Sequence, residues 1–250
     1  MNAPASNWPL PFWIAHRGAG KLAPENTMAA FRLGAAHGYR AFECDVKLSA
    51  DGVPFLLHDA TLDRTTAARG PAAALTWSEL SRVDAGSWHS RAYAGEPPAS
   101  LDALTAWLHA NHFALDLEIK PSPGEERRTG EVVGTYARSQ WSRPDSPPLL
   151  FTSFKPEALR GAQSTAPKVP RGLLLDTLWQ GWEAVADELE VAAVVTNYAV
   201  MDAALVQRLH AQGRRALVYT VNDPSVAAWL QAIGIDGIVT DAVDRFSPVA

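Results

Sequence analysis

The sequence predicts an α/β fold of the (β/α)8 TIM-barrel type, with a small insertion after the second strand. Short apolar runs recur along the chain, helical patterns separate most of them, and the length of 250 residues suits one barrel domain. Alternating strands and helices require a parallel sheet that is covered by helices. About eight strands in such a chain favour closure into a barrel, with an open doubly wound sheet as the alternative.

Each predicted strand is a short run of β-branched, leucine and aromatic residues. We expect every run to be a buried strand of the barrel. In chain order the runs are PFWIAH, RAFECDV, FALDLEI, LLFTSF, RGLLLD, VAAVVTN, RALVYTV and DGIVTD.

Helical spacing of apolar residues separates most of these strands. Several of the helical segments end in glycine, and one opens with Asp-Pro, which are common helix boundaries. The segments are ENTMAAFRLGAAHG, PEALRGAQ, LWQGWEAVADELE, MDAALVQRLHAQG and DPSVAAWLQAIG.

One connection is longer than the others, because residues 59–111 separate the second predicted strand from the third. Its glycine and proline content predicts loops and short helices, and it ends in a helical pattern from Leu101 to Leu108. We therefore predict a single barrel domain over residues 1–250, with a small insertion at about residues 59–111 on the barrel rim.

The composition argues against several classes of protein. A formal net charge of −5 argues against a protein that coats nucleic acid. The single cysteine, Cys44, cannot form an intramolecular disulfide, which fits a reducing cytoplasm. The N-terminal stretch MNAPASNWPLPFWIAHRG has no basic residue before Arg17 and no long apolar run. We expect a cytoplasmic protein without a signal peptide, a membrane span or stable membrane association.

Polar residues cluster at the ends of the first three predicted strands. The carboxyl ends of barrel strands face the active-site mouth, so we expect these side chains to meet there. They are His16 and Arg17 on the first strand, Glu43 and Asp45 on the second, Glu118 and Lys120 on the third, and His58 soon after the second.

Three of these residues predict a metal site. Side chains alternate along a strand, so Glu43 and Asp45 share one face. Together with Glu118 they would bring three buried carboxylates together, which is costly without a counter-charge. Carboxylate oxygens suit Mg²⁺ and Ca²⁺. We therefore predict one divalent metal ion, Mg²⁺ or Ca²⁺, held by these three acids.

The remaining four residues predict phosphoryl chemistry. A metal beside Arg17 and Lys120 makes a site where three positive centres can share the oxygens of a phosphate ester. Phosphoryl displacement needs one group to accept a proton and another to donate one. His16 and His58 can fill these two roles, because imidazole exists in both forms near neutral pH.

Four strings in the sequence together resemble the glycerophosphodiester phosphodiesterase family. They are IAHRGAGKLAPENTMAAF, FECDVKLSADGVPFLLHD, LDLEIK and GIVTD. The similarity runs almost without a gap from Ile14 to Asp63, and it returns at residues 115–120 and 236–241.

The resemblance implies both an activity and a set of roles. It implies hydrolysis of a small-molecule glycerophosphodiester, such as glycerophosphocholine or glycerophosphoethanolamine, to glycerol 3-phosphate and an alcohol. At position 219 this chain has tyrosine where many members have tryptophan. The resemblance therefore does not predict which residues form the apolar wall of the pocket. The implied roles are acid and base for His16 and His58, metal ligands for Glu43, Asp45 and Glu118, and phosphate contacts for Arg17 and Lys120.

Two alternative functions stay open at this point. A lysophospholipase D would use the same chemistry on a lipid and would need an apolar patch, which Trp77, Trp88 and Trp107 of the insertion could provide. A barrel that only binds a phosphorylated metabolite is the other alternative, because a fold does not prove activity. The intact histidine pair argues against it.

Several other residues could have a structural or a functional role. Glu25 and Asn26 could start a helix or support the site, and Asp241 and Asn197 could cap helices or support site residues. Trp179 and Trp182 could share a helix face, either in the core or beside the mouth. We expect Cys44 to be a buried, inert thiol, and we assign no role to the histidines at positions 37, 89, 109, 112 and 210.

Overall fold

A computed structural model describes residue 8 and residues 10–248 of the chain. Within this part, eight parallel strands form a closed barrel, and one further short strand lies antiparallel on its rim. The strands are β1 (Trp13–Ala15), β2 (Ala41–Leu48), β3 (Pro54–Leu56), β4 (Ala114–Ile119), β5 (Leu149–Ser153), β6 (Arg171–Leu175), β7 (Ala193–Asn197), β8 (Arg215–Tyr219) and β9 (Gly237–Thr240).

The barrel closes because β1 pairs in parallel with both β2 and β9. The order around it is β1, β2, β4, β5, β6, β7, β8 and β9, and β3 pairs only with β2. The predicted (β/α)8 barrel is confirmed, and the open-sheet alternative is wrong.

Helices surround the barrel, and several begin where a polar side chain caps their first free amide groups. Thr27, Ser100 and Asp202 each accept a hydrogen bond from a backbone amide three residues later. The helices are α1 (Met28–Ala36), α2 (Trp77–Leu80), α3 (Leu101–Asn111), α4 (Glu126–Gln140), α5 (Pro156–Thr165), α6 (Trp182–Glu188), α7 (Ala203–Ala211) and α8 (Pro224–Ala232).

The structure departs from the sequence expectations in two helical regions. α4 was not predicted, because its sequence is largely polar and two of its buried positions are glycines, Gly130 and Gly134. α6 begins only at Trp182, after Gly181 in a left-handed conformation. Trp179 therefore precedes the helix and is exposed, so the idea that both tryptophans share a helix face is wrong.

Two apolar layers position the mouth of the barrel. The strand faces that point outward pack under the helices, and Phe42, Cys44 and Val46 of β2 belong to that layer. A second cluster fills the barrel floor, where Ile14 and Leu150 meet the apolar side chains of the other strands. Consequently the polar inward residues of β2 and β4 lie above an apolar floor.

Residues 59–111, here called the insert segment, lie between β3 and β4: the first part packs beside β3, and the last helix, α3, packs into the main core through Leu101, Leu104 and Leu108. A small apolar cluster joins Phe55 of β3 to Leu62, Ala72 and Leu80 of the segment. The segment also contacts α1, since the Glu96 carboxylate accepts a hydrogen bond of 3.0 Å from the amide of Ala29.

The described part of the chain contains no helix that is both long enough and apolar enough to cross a membrane. Residues 1–7 and 9, which belong to the N-terminal stretch used above to argue against a signal peptide, lie outside the described residues.

Close packing of α4 on α5 leads to a stability prediction. A Cβ atom at Gly130 would overlap the carbonyl oxygen of Ala158. Gly130→Ala should lower the free energy of unfolding by about 1–3 kcal/mol, because this overpacking outweighs the gain of about 1 kcal/mol in helix propensity. Denaturant unfolding measures the change. Thr135→Ala, at an exposed position of the same helix, is the control, and equal stability of both variants would contradict the prediction.

Candidate active site

The three predicted metal ligands meet at the mouth of the barrel. Asp45 on β2 lies beside Glu118 on β4 in the strand register, and Glu43 lies two residues before Asp45 on the same face. One carboxylate oxygen of each residue lies within 4.8 Å of the others, and all three side chains are buried.

Two cations contact this triad of carboxylates. Lys120 Nζ lies 3.2 Å from Asp45 Oδ1 and 3.1 Å from Glu118 Oε1. Arg17 Nε lies 3.2 Å from Asp45 Oδ2. The backbone amide of Arg17 also donates a hydrogen bond of 3.0 Å to Glu43 Oε2. Two cations therefore face three carboxylates.

The surroundings shift the pKa values of the three carboxyl groups in different directions. Burial raises the pKa of Glu43, and the charges of Asp45 and Glu118 raise it further. Burial and the charge of Asp45 also raise the pKa of Glu118. For Asp45 burial acts in the same direction, but the nearby Arg17 and Lys120 outweigh it and hold the pKa well below its usual range. Two of the three acids thus resist ionisation without a further positive charge.

The residues fit a divalent cation. Asp45 Oδ1 is buried and lacks a hydrogen bond of proper geometry, although Lys120 Nζ is within ion-pair distance. A set of three buried carboxylates offers the hard oxygen ligands that Mg²⁺ and Ca²⁺ prefer. The triad can therefore hold such an ion.

Each of the two predicted catalytic histidines is oriented by a carboxylate. His16 Nδ1 lies 2.6 Å from Asp241 Oδ1, and His58 Nδ1 lies 2.6 Å from Asp59 Oδ1. An ionised carboxylate only accepts hydrogen bonds, so each Nδ1 is the donor and each Nε2 is left for the site. His16 Nε2 is 3.8 Å from Glu43 Oε2.

An ionic network supports Arg17 and His58 from the side of the insert segment. The Glu25 carboxylate accepts hydrogen bonds of 2.8 Å from both Arg17 and Arg64. Arg64 also donates to both oxygens of Asp59, at 2.7 and 3.0 Å. The network therefore links Arg17 to the carboxylate that orients His58.

The sequence predicts these supporting residues only in part. Glu25 and Asn26, which could support the site, both contact site residues: Glu25 accepts a hydrogen bond from Arg17, and Asn26 Nδ2 donates to Asp45 Oδ2 at 2.8 Å. Asp241, which could cap a helix or support a site residue, orients His16. The sequence predicts no role for Asp59 or Arg64. The adjacency of Asp59 to His58 was the available signal for the first of these two.

Backbone conformation at the β1–α1 loop is unusual and shapes the site. Arg17 and Asn26 adopt left-handed φ values of 51° and 59°, which are uncommon for residues other than glycine. Gly20 is also left-handed, and a Cβ atom there would overlap the backbone of Asp241. Glycine at this position therefore lets the loop approach Asp241, the residue that orients His16.

A cavity of about 250 Å³, here called the inner cavity, opens among these groups. Six of the seven predicted site residues line it, and Asp45 contacts the other charged groups from β2. Phe154 and Tyr219 form one apolar wall, with ring centroids 5.6 Å apart at 87°. Tyr219 therefore takes part in the apolar wall, although many family members have tryptophan at this position.

The unassigned histidines lie elsewhere. His210 contacts Asp236 at 2.7 Å, and His89 contacts the Lys21 carbonyl oxygen at 3.0 Å. Neither lines the inner cavity.

Comparisons with known proteins identify the family. A model of the glycerophosphoryl diester phosphodiesterase family matches residues 16–245. The glycerophosphodiester phosphodiesterase of Caldanaerobacter subterraneus subsp. tengcongensis is 30% identical over 91% of this chain and 93% of its own length.

Solved structures give the same result. A phosphodiesterase from Oleispira antarctica, in complex with the product sn-glycerol-3-phosphate, is 33% identical with a TM-score of 0.89, over 94% of this chain and 95% of that one. A glycerophosphodiester phosphodiesterase from Agrobacterium tumefaciens is 29% identical with a TM-score of 0.80, over 96% of this chain and 100% of its own. The chain therefore belongs to the glycerophosphoryl diester phosphodiesterase family and is a phosphodiesterase, as the resemblance in its sequence implied.

Proposed function

We propose that the chain hydrolyses glycerophosphodiesters to sn-glycerol 3-phosphate and an alcohol, with one divalent cation and two histidines. The main support is that a buried carboxylate triad, two cations and two carboxylate-oriented histidines surround one cavity. The Oleispira antarctica relative holds the same product.

Glu43, Asp45 and Glu118 are the proposed metal ligands, and either Mg²⁺ or Ca²⁺ suits them. The family is divalent-metal dependent. A cation bound there would supply positive charge that stabilises the phosphoryl oxygens in the transition state.

Arg17 and Lys120 are the proposed phosphate contacts. Both line the inner cavity, and both are oriented by carboxylates that they approach within 3.2 Å. Charged donors held in place before the substrate arrives stabilise developing charge without reorganisation. Their contact with the phosphate should contribute roughly 1.5–3 kcal/mol each, as hydrogen bonds to charged groups do.

The two histidines exchange protons with the reacting oxygens. Burial lowers the pKa of His58 below its usual value, so its Nε2 is a ready proton acceptor at neutral pH. We assign His58 as the first base, which takes the proton of the neighbouring glycerol hydroxyl. That oxygen attacks phosphorus, and the alcohol leaves with its bonding electrons and takes a proton from His16. The glycerol phosphate is then cyclic.

The second half of the reaction reverses the roles. His16, now unprotonated, takes a proton from water as the water oxygen attacks phosphorus. The ring oxygen leaves and receives the proton that His58 holds. The internal hydroxyl is favoured as first nucleophile, because an attached group avoids the entropic cost of recruiting water.

The three tryptophans of the insertion do not form the apolar patch that a lysophospholipase D would need. Of the three tryptophans considered for a lipid patch, Trp77 packs near Phe55 and Trp107 packs between Phe42 and Phe113. Trp88 alone of the three is exposed. We propose that the chain acts as one barrel domain on small molecules in the cytoplasm, without stable membrane association.

Metal binding provides the first test. Glu43→Gln, Asp45→Asn and Glu118→Gln should each weaken Mg²⁺ or Ca²⁺ binding by more than the roughly 10- to 100-fold that loss of a supporting residue costs. Isothermal titration calorimetry measures this directly. Glu131→Gln, on the outer helix α4, is the control. Full turnover after chelation, with metal removal verified by elemental analysis, would contradict metal dependence.

The histidine roles provide a second test. His16→Ala and His58→Ala should each lower kcat by about 10² to 10⁴, because each removes one proton-transfer group. Asp241→Asn and Asp59→Asn should cost less, since the ring remains but loses its orienting carboxylate. His37→Ala, at the exposed end of α1, should match the wild type in steady-state assays. Full activity in either active-site histidine variant would remove that residue from the mechanism.

The cyclic route provides a third test. A substrate analogue without the sn-2 hydroxyl should bind as a competitive inhibitor but resist cleavage, because it lacks the internal nucleophile. Product analysis by phosphorus NMR should also detect a cyclic phosphate early in turnover of the normal substrate. Cleavage of the analogue at the normal rate would show direct attack by water instead.

A further inference from the structure

A second cavity of about 380 Å³, here called the outer cavity, lies beside the inner one and shares His16 and Arg17 with it. Its remaining walls come from the β1–α1 loop, the insert segment and Asp241 after β9, and they include Lys21, Glu25 and Trp88. His58 lines only the inner cavity. A leaving group that departs from the phosphate on the side of His16 therefore faces the outer cavity.

Among the charged groups that line the outer cavity, the Lys21 ammonium is the one that can bind a ligand. Glu25 is neutralised by Arg17 and Arg64, each at 2.8 Å. Asp241 is bonded to His16 at 2.6 Å and to Asn222 at 3.1 Å. Lys21 is exposed and makes no ion pair with any residue that the structure describes. Both carboxylates thus have partners, and the Lys21 ammonium does not.

Trp88 adds an apolar surface to the same cavity. Its side chain is 41% exposed, and its Nε1 donates a hydrogen bond of 2.8 Å to the Ala85 carbonyl oxygen, which fixes the ring. The neighbouring His89 bonds to the Lys21 carbonyl oxygen at 3.0 Å. This bond ties the insert segment to the β1–α1 loop, so Trp88 and Lys21 belong to one connected wall.

We propose that the outer cavity receives the departing alcohol, and that Lys21 and Trp88 favour an uncharged, polyhydroxylated alcohol over a quaternary ammonium one. The proposal rests on the proposed function, since it specifies the alcohol half of that substrate. Hydroxyl oxygens accept hydrogen bonds from the Lys21 ammonium. The apolar face of a ring-shaped alcohol can cover the exposed face of Trp88.

A quaternary ammonium alcohol is disfavoured by the same groups. An aromatic face attracts a cation, which would favour choline at Trp88. Lys21 opposes this attraction, because two positive charges in one cavity repel each other. Glu25 offsets little of the repulsion, since two arginines pair with it, and the two oxygens of Asp241 are bonded to His16 and Asn222.

Two substrates with different alcohols test the proposal. We would measure kcat/KM for glycerophosphoinositol and glycerophosphocholine with the wild type, Lys21→Met, Lys21→Glu and Trp88→Ala. Lys21→Glu should shift the ratio of the two values toward glycerophosphocholine by about fivefold, as for an exposed charge pair, and Lys21→Met should lie between it and the wild type. Trp88→Ala should lower kcat/KM for glycerophosphoinositol by roughly fivefold or more, as buried tryptophan contacts do.

Trp179→Ala is the matched control, because Trp179 is 39% exposed and lines neither cavity. Thermal unfolding of each variant would check that these exposed substitutions leave the fold intact. An unchanged substrate ratio in Lys21→Glu, or identical kinetics in Trp88→Ala and Trp179→Ala, would overturn this proposal while the hydrolysis itself stands. No wild-type turnover on either substrate would overturn the proposed function and this proposal together.

Discussion

The carboxylates of Glu43, Asp45 and Glu118 share a buried volume at the barrel mouth, and their mutual repulsion constrains everything around them. Two cations oppose three acids, and the pKa values of Glu43 and Glu118 rise accordingly. An arrangement that is costly for folding persists where function needs it. Arg17 and Lys120 each contact Asp45, so they are held before any phosphate arrives. The negative charge of the triad thus holds Arg17 and Lys120 at the mouth, where the proposed metal site and the proposed phosphate site meet.

Other carboxylates orient the two histidines, so the proposed proton-transfer groups are held separately from the proposed metal ligands. Each Nδ1 bonds to a carboxylate outside the triad, one on the loop after β9 and one in the insert segment. Arg64 then joins Asp59 to Glu25, and Glu25 holds Arg17. The insert segment therefore contributes to the proposed catalytic site, because it supplies Asp59 and Arg64.

The sequence predicted the barrel, and it predicted that the seven candidate site residues meet at the barrel mouth. Both predictions rest on local patterns, namely strand ends and side-chain alternation. It missed α4, whose buried positions include Gly130 and Gly134 instead of large apolar residues. It also missed β3, which has only three residues. The contact from Asp241 to His16 spans 225 positions and depends on barrel closure, and no local pattern reports such a contact.

Closure of the barrel also decides when a newly made chain can become active. Asp241, which orients His16, follows the strand that pairs with β1, and the two residues are separated by 225 positions. During synthesis on the ribosome, Glu43, Asp45 and Glu118 therefore emerge long before Asp241 does. Asp241 can orient His16 only after the last strand has joined the first. The proposed hydrolysis thus requires nearly the whole barrel to be translated first.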